Sequence, residues 1–324
     1  KTIDAIAEKI NRSPIDATIR LKSGKFVVTS DIPGLKLQNN NAVEIIKKKI
    51  ENYDISKIEL PIEIIESEIK KSDLENITEK LGEYTTRFDA TNTSRTYNIA
   101  LATKSVTDVL IKPGEIFSLN KIIGPRLAEK GYKIAKVIIN NEYVDGIGGG
   151  LCQVSTTLYN AALLSNMKII ERKNHSMPSD YVALGRDATI SGDYIDMKFE
   201  NNSNHPIYIY GEVKGNKVMF SIYGKKENPN RSIEIRTSVL KKIEPQIKVI
   251  HDDTLPVGTE IIEKKARAGY VVKSYRVVLE NGKEVFVEPL YTDTYRVSDG
   301  VKRIGIKPVD IVQDAEDLSL EIIN

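Results

Sequence analysis

Within its 324 residues the chain has no tryptophan, one cysteine and three histidines. A single cysteine excludes an internal disulfide, and no Cys/His cluster stands at zinc-ligand spacing. No run of about 18 apolar residues occurs, so no transmembrane helix lies in this stretch. The formal net charge is only +2, which leaves no electrostatic footprint for nucleic acid. The chain begins at Lys1 rather than Met, as expected of a fragment or processed form whose signal peptide or anchor would lie upstream.

What is present is ordinary globular composition, 40% apolar and 28% charged, in a length that suits roughly two or three domains. The expected fold class is α+β and multidomain. Residues 1–66 read as a small α+β unit. Ile3, Ile6, Ala7 and Ile10 recur at helical spacing, as do Ala42, Val43, Ile46 and Ile50. Residues 17–28 alternate around Ser23-Gly24, which predicts a hairpin, and Pro61 marks residues 57–65 as an edge strand. Residues 67–83 are charged and helix-compatible and are expected to be a linker, so the first domain is set at 1–83. A second domain, 84–226, opens with a helix that Ser94 can cap. A third unit, 227–308, is almost all alternating strand, with Asn281-Gly282 as a hairpin signal. Residues 309–324 form an acidic tail.

The most informative stretch runs from Asp145 through Gly148-Gly149-Gly150 to Cys152 and beyond. Val154, Leu158, Ala161 and Ala162 predict a helix that starts at or just after the cysteine. The positive end of a helix lowers a thiol's pKa, and the thiolate is the nucleophile. Free N–H groups of the first turn, at Cys152 and Gln153, can hold an oxyanion. Gly149 and Gly150 let the backbone approach a substrate closely. His175 follows after a helix and a predicted strand and can return to the helix N-terminus as the base. Asp180 or Asp187 can orient its imidazole, Ser176 lies beside it, and Arg186 can pair with a substrate carboxylate. Glu142 and Asp145 could mimic a glycosidase carboxylate pair. His205 is expected in a turn and His251-Asp252-Asp253 in a solvated loop.

Several motifs together resemble the VanW-like family. They include Ile111-Lys-Pro-Gly-Glu-Ile-Phe-Ser-Leu-Asn120, Gly124-Pro-Arg126, Gly146-Ile-Gly-Gly-Gly-Leu-Cys-Gln-Val-Ser155, Thr157-Leu-Tyr-Asn-Ala161, His175-Ser176 and Leu184-Gly-Arg-Asp-Ala-Thr189. Residues 1–66 are similar to the peptidoglycan-binding domain that often precedes this family, and residues 230–307 to the five-glycine (G-five) domain of cell-surface proteins. The resemblance implies an extracellular or cell-wall protein whose partners are peptidoglycan stem peptides and glycan. It implies L,D-transpeptidase activity through Cys152, with His175 as base and no metal or cofactor. The better-known L,D-transpeptidases place histidine before cysteine; here the order is reversed. Two other readings stand beside it. One is a non-catalytic wall-binding or adhesion protein, and the other a cysteine peptidase or amidase that uses water as acceptor.

Overall fold

The computed structural model describes residues 2–139 and 142–308. The predicted acidic tail, 309–324, lies outside the described residues. The architecture is α+β and multidomain, as expected, with an all-β unit at the C-terminal end.

The N-terminal unit pairs helices Thr2–Ile10 and Asn39–Glu51 with the hairpin Ile19–Lys22/Lys25–Val28 and the antiparallel pair Gly34–Leu37/Ile62–Ile65. Its own core is small, Ala7, Leu37 and Ala42. Ile50, predicted on the buried face of the second helix, is 69% exposed, because the unit has too few elements to cover the whole apolar stripe.

The central domain is built on a four-stranded antiparallel sheet. Its strands run in the order Glu79–Arg87, Lys217–Gly224, Ile207–Lys214, Val109–Ile111. The predicted linker 67–83 therefore ends inside the sheet, because Glu79–Arg87 pairs along the strand Lys217–Gly224. Ile207, Tyr208 and Ile209 are all fully buried, which requires cover on both faces of the sheet. Ile207 and Ile209 join the cluster formed with helices Thr93–Val106 and Leu151–Leu164. Tyr208 faces the other way, into a cluster with Ala17, Ile19, Leu74 and Ile77. Its hydroxyl accepts from Leu21 N at 3.1 Å and donates to Asp108. The first long helix is capped by Asn92, which accepts from Arg95 N, rather than by Ser94; either side chain suits the cap, and the turn before the helix selects the earlier one.

A three-stranded sheet of Lys168–Glu171, Lys198–Glu200 and Ile116–Ser118 closes one side of the domain. There Phe199 stacks on Phe117 with ring centroids 4.9 Å apart. The helix Leu151–Leu164 is buried almost all round, and several of its polar residues find partners inside. Thr157 donates to Gln153 O at 2.7 Å, and Asn160 donates to Thr156 O and Arg186 O.

The C-terminal unit has two three-stranded sheets. Arg231–Ile243, Gly269–Glu280 and Lys283–Tyr295 are antiparallel, and Asn281-Gly282 forms the predicted hairpin turn. Ile247–Pro256, Gly300–Lys307 and Glu260–Lys264 form the other sheet. His251 and Asp252, expected in a loop, lie in the strand Ile247–Pro256, where Asp252 pairs with Arg303 at 2.8 Å. The flanking alternation continues through them, and the ion pair satisfies the carboxylate.

Phe199 is fully buried, and its replacement leaves a cavity that the two-sheet packing cannot close. Phe199→Ala should cost about 3–5 kcal/mol in urea unfolding. A loss below about 1 kcal/mol would place the centre of the core elsewhere.

Candidate active site

The strand Glu142–Ile147 runs into the turn Gly148-Gly149-Gly150, and the helix begins at Leu151. Gly150 takes φ 108° as the cap, a conformation costly for a side chain with Cβ. Asn98, fully buried, staples this turn down. Its amide donates to Gly149 O at 3.1 Å and Lys133 O at 2.9 Å, and its oxygen accepts from Lys133 N at 2.8 Å. Cys152 is thereby fixed in the first turn of the helix, half-buried. Leu151 N and Gln153 N bond back to Gly148 O and Gly150 O. Among the described residues, Cys152 N–H has no backbone partner. Only Cys152 of the two predicted oxyanion donors is thus available. The Gln153 side chain turns inward, donating to Arg87 O at 2.8 Å and accepting from Arg95 at 2.6 Å.

His175, also buried, lies after the strand Lys168–Glu171 and is close enough to the Cys152 thiol for each to shift the other's titration. Its Nδ1 is 2.6 Å from Asp187 Oδ2, and its backbone N–H donates to the same oxygen at 2.6 Å. Nδ1 is committed to the carboxylate, which leaves Nε2 for the thiol. Thr189 Oγ1 and Ile190 O stand 3.4 Å and 3.5 Å from the sulfur. Thiol, imidazole and carboxylate therefore follow one another in the order that a nucleophile, a base and its orienter would need.

The electrostatics follow from that line. Burial alone would raise the Cys152 thiol; the neighbouring His175 imidazole, aided by the Ile190 backbone and Thr189, brings it down to about 7. Burial alone would lower the imidazole; the bonds to Asp187 and Cys152 raise it above its ordinary value. Asp187 resists its own burial through the His175 hydrogen bond and charge and through Arg172, which hold its carboxyl below the usual range. The resting state these shifts favour is a thiolate–imidazolium pair.

The site opens into a cavity of about 1070 Å³, whose lining carries five Lys/Arg and three Asp. Gly149, Gly150, Gln153, Ser176 and Asp180 line it with Cys152 and His175. Asp180 makes no hydrogen bond to His175 among the described residues; of the two candidate orienters, Asp187 takes the position. Arg186, expected to hold a substrate carboxylate, is not among the lining residues. Its Nε donates to Asn160 Oδ1 at 2.8 Å and its guanidinium lies 4.8 Å from the Tyr84 ring. That segment turns its aspartate to the histidine, and Arg186 is directed to the far side of the helix. Asp145 pairs with Lys136 at 3.0 Å, and the Glu142 side chain lies outside the described residues.

Three neighbours escaped the sequence reading. Arg126, in the quoted Gly124-Pro-Arg126 run, faces the Cys152 charge and donates to Gly192 O at 2.7 Å. Tyr181 lines the cavity, and burial pushes its hydroxyl pKa up. Arg172 is buried against Asp187. Their motif membership was visible for Arg126 alone.

Because the thiol is lowered, thiolate persists at neutral pH and is lost as pH falls through about 7. Iodoacetamide alkylation of Cys152 should therefore titrate near that value, and His175→Ala should move the midpoint to the ordinary thiol range of about 8.5. A parent protein that titrates in that ordinary range has no such ion pair.

Comparison with known proteins places the chain. The VanW like protein model matches residues 94–223, the G5 domain model residues 234–307, and the peptidoglycan binding domain model residues 1–59. Cys152, His175 and Asp187 all fall in the first of these. The Bacillus subtilis protein YoaR, itself uncharacterized, is 35% identical over 244 residues, covering 75% of this chain and 77% of that one. The vancomycin B-type resistance protein VanW of Enterococcus faecalis is 30% identical over 139 residues, 41% of this chain and 50% of that one. Among solved structures, the G5 domain of an IgA1 protease is 23% identical, covers 25% of this chain and 99% of that one, and has a TM-score of 0.17. Spanning three quarters of YoaR at that identity and carrying the family's central domain, the chain belongs to the VanW-like family.

Proposed function

We propose that this protein is a cell-wall L,D-transpeptidase that works through a thioester on Cys152. The observation that carries the reading is the buried line Cys152–His175–Asp187 at a helix N-terminus, facing a cavity large enough for a peptide. The peptidoglycan binding and G5 matches support a cell-wall-associated, extracellular protein. Among the described residues no helix is long and apolar enough to cross a membrane.

In this mechanism the Cys152 thiolate attacks the carbonyl carbon of the amide preceding the terminal D-alanine of a tetrapeptide stem. The developing oxyanion is held by Cys152 N–H. His175, protonated at rest, donates its proton to the leaving nitrogen; the C–N bond breaks and D-alanine departs. The side-chain amine of a neighbouring stem then attacks the thioester and His175 takes its proton. The C–S bond breaks, and the new amide joins two diaminopimelate residues. Arg126, a cation facing the sulfur, suits the free carboxylate of the departing residue. The N-terminal and β units would raise the local concentration of stems.

Incubation with tetrapeptide-stem muropeptides, followed by intact mass and chromatography, tests the reading. The parent should form a thioester adduct and cross-linked dimers, and Cys152→Ala should lose more than about a thousandfold in rate. Adduct followed by free tripeptide alone would mean that water is the acceptor. Equal stem binding by both proteins with no product would leave a binding module.

A further inference from the structure

The line of catalytic groups does not end at Asp187. Its Oδ2 is spent twice on His175, and its Oδ1 receives the hydroxyl proton of Tyr295. Tyr295 closes the strand Lys283–Tyr295 of the C-terminal β unit and is only 1% exposed. The same hydroxyl accepts from Gly185 N at 2.8 Å, so one side chain pins both ends of the 185–187 segment.

Two residues earlier on the same strand face, Asp293 accepts from Arg172 Nη1 at 2.5 Å. Arg172 in turn donates from Nε to Asp187 O at 2.6 Å, while its Nη2 stands 3.4 Å from Asp187 Oδ1. Arg172, Asp187 and Asp293 are all buried. Asp293 takes the closer share of the guanidinium charge. That leaves the Asp187 charge to the imidazole.

The backbone is clamped as well. Arg296 N donates to Ser176 O at 2.7 Å, beside His175. Asn174 Nδ2 donates to Thr294 O at 3.1 Å. Gly185 sits at φ +80°, and a Cβ there would lie 3.1 Å from Val272 and 3.3 Å from Thr237, both in the β unit. The glycine of the Leu184–Thr189 run is thus fitted to the neighbouring domain.

We infer that the C-terminal β unit is part of the catalytic site, with Tyr295 as a positioning residue that holds Asp187 on His175 and Asp293 as the residue that anchors Arg172 beside it and takes the closer share of its charge. A tether or spacer has no reason to bury a tyrosine and an aspartate against the orienting carboxylate. Unpaired buried polar groups are costly, so the Tyr295 hydroxyl and Asp187 Oδ1 keep their partners only when the two units are docked. Without the Tyr295 hydroxyl, Asp187 Oδ1 is left to Arg172, the carboxylate turns toward the guanidinium, and the imidazolium loses its partner. The inference rests on the Cys152–His175 reading.

The test is the pH dependence of iodoacetamide alkylation of Cys152 in the full chain. It compares the parent with His175→Ala, Tyr295→Phe and Tyr275→Phe, the last a control on the same β unit, whose ring faces Lys273. Tyr295→Phe should alkylate about tenfold more slowly at pH 6, with its midpoint moved up toward that of His175→Ala. Tyr275→Phe should track the parent, and both phenylalanine variants should keep cooperative thermal unfolding. If Tyr295→Phe fails to fold, Asp293→Asn is read by the same shift. A Tyr295→Phe variant that titrates with the parent while His175→Ala shifts upward would overturn the inference alone. A parent that titrates with His175→Ala would overturn the ion-pair reading and the inference with it.

Discussion

A buried carboxylate bonded to a buried imidazole needs partners on every lone pair, and much of this molecule is arranged around that need. Asp187 is satisfied by the His175 ring and backbone, by Arg172 and by Tyr295. Those groups come from separate parts of the chain, with His175 and Arg172 sharing one. His175 and Arg172 follow the strand Lys168–Glu171, Asp187 lies on the irregular segment after them, and Tyr295 arrives from the β unit. Inside a low-dielectric interior an unpaired charge is expensive, so these segments are held together by the same interaction that poises the thiol.

The helix Leu151–Leu164 plays the complementary role. It is buried on all sides, so its position is fixed by packing, and its N-terminus carries Cys152 to a single point in the cavity wall. Asn98 ties the glycine turn before it to the Lys133 backbone, and Gln153 ties its first turn to the end of the strand Glu79–Arg87. Gln153 therefore contributes rigidity to the thiol's surroundings through its buried side chain, and the oxyanion donor that remains is the cysteine's own N–H. A thiol on a packed helix and an imidazole on a clamped loop are held at fixed positions, the tolerance that the proposed acyl transfer would require.

The readable part of the fold was its periodic part. Alternation over residues 230–307 gave the strands, and Asn281-Gly282 gave their hairpin. Linker and cap assignments went astray at residues 79–83 and at Ser94, where charged and polar residues suit several local structures and tertiary pairing decides. His251-Asp252 looked like a loop because a carboxylate in a strand is uncommon; the Arg303 pair that permits it comes from fifty residues away in sequence.

At the site, the sequence alone determined the local setting of the thiol: three glycines, then a helix whose first turn holds Cys152, with His175 the next histidine along the chain. Those are short-range facts, set by φ preference and helical periodicity. It left Asp180 and Asp187 equal, and offered Arg186 as a substrate ligand, because all three lie in one polar segment with no regular period. Only the tertiary structure turned Asp187 toward His175, sent Arg186 to the Tyr84 ring and brought Tyr295 and Asp293 across from another domain. The physical reason is that side-chain direction in an irregular loop is set by what packs against it, and those partners are distant in sequence.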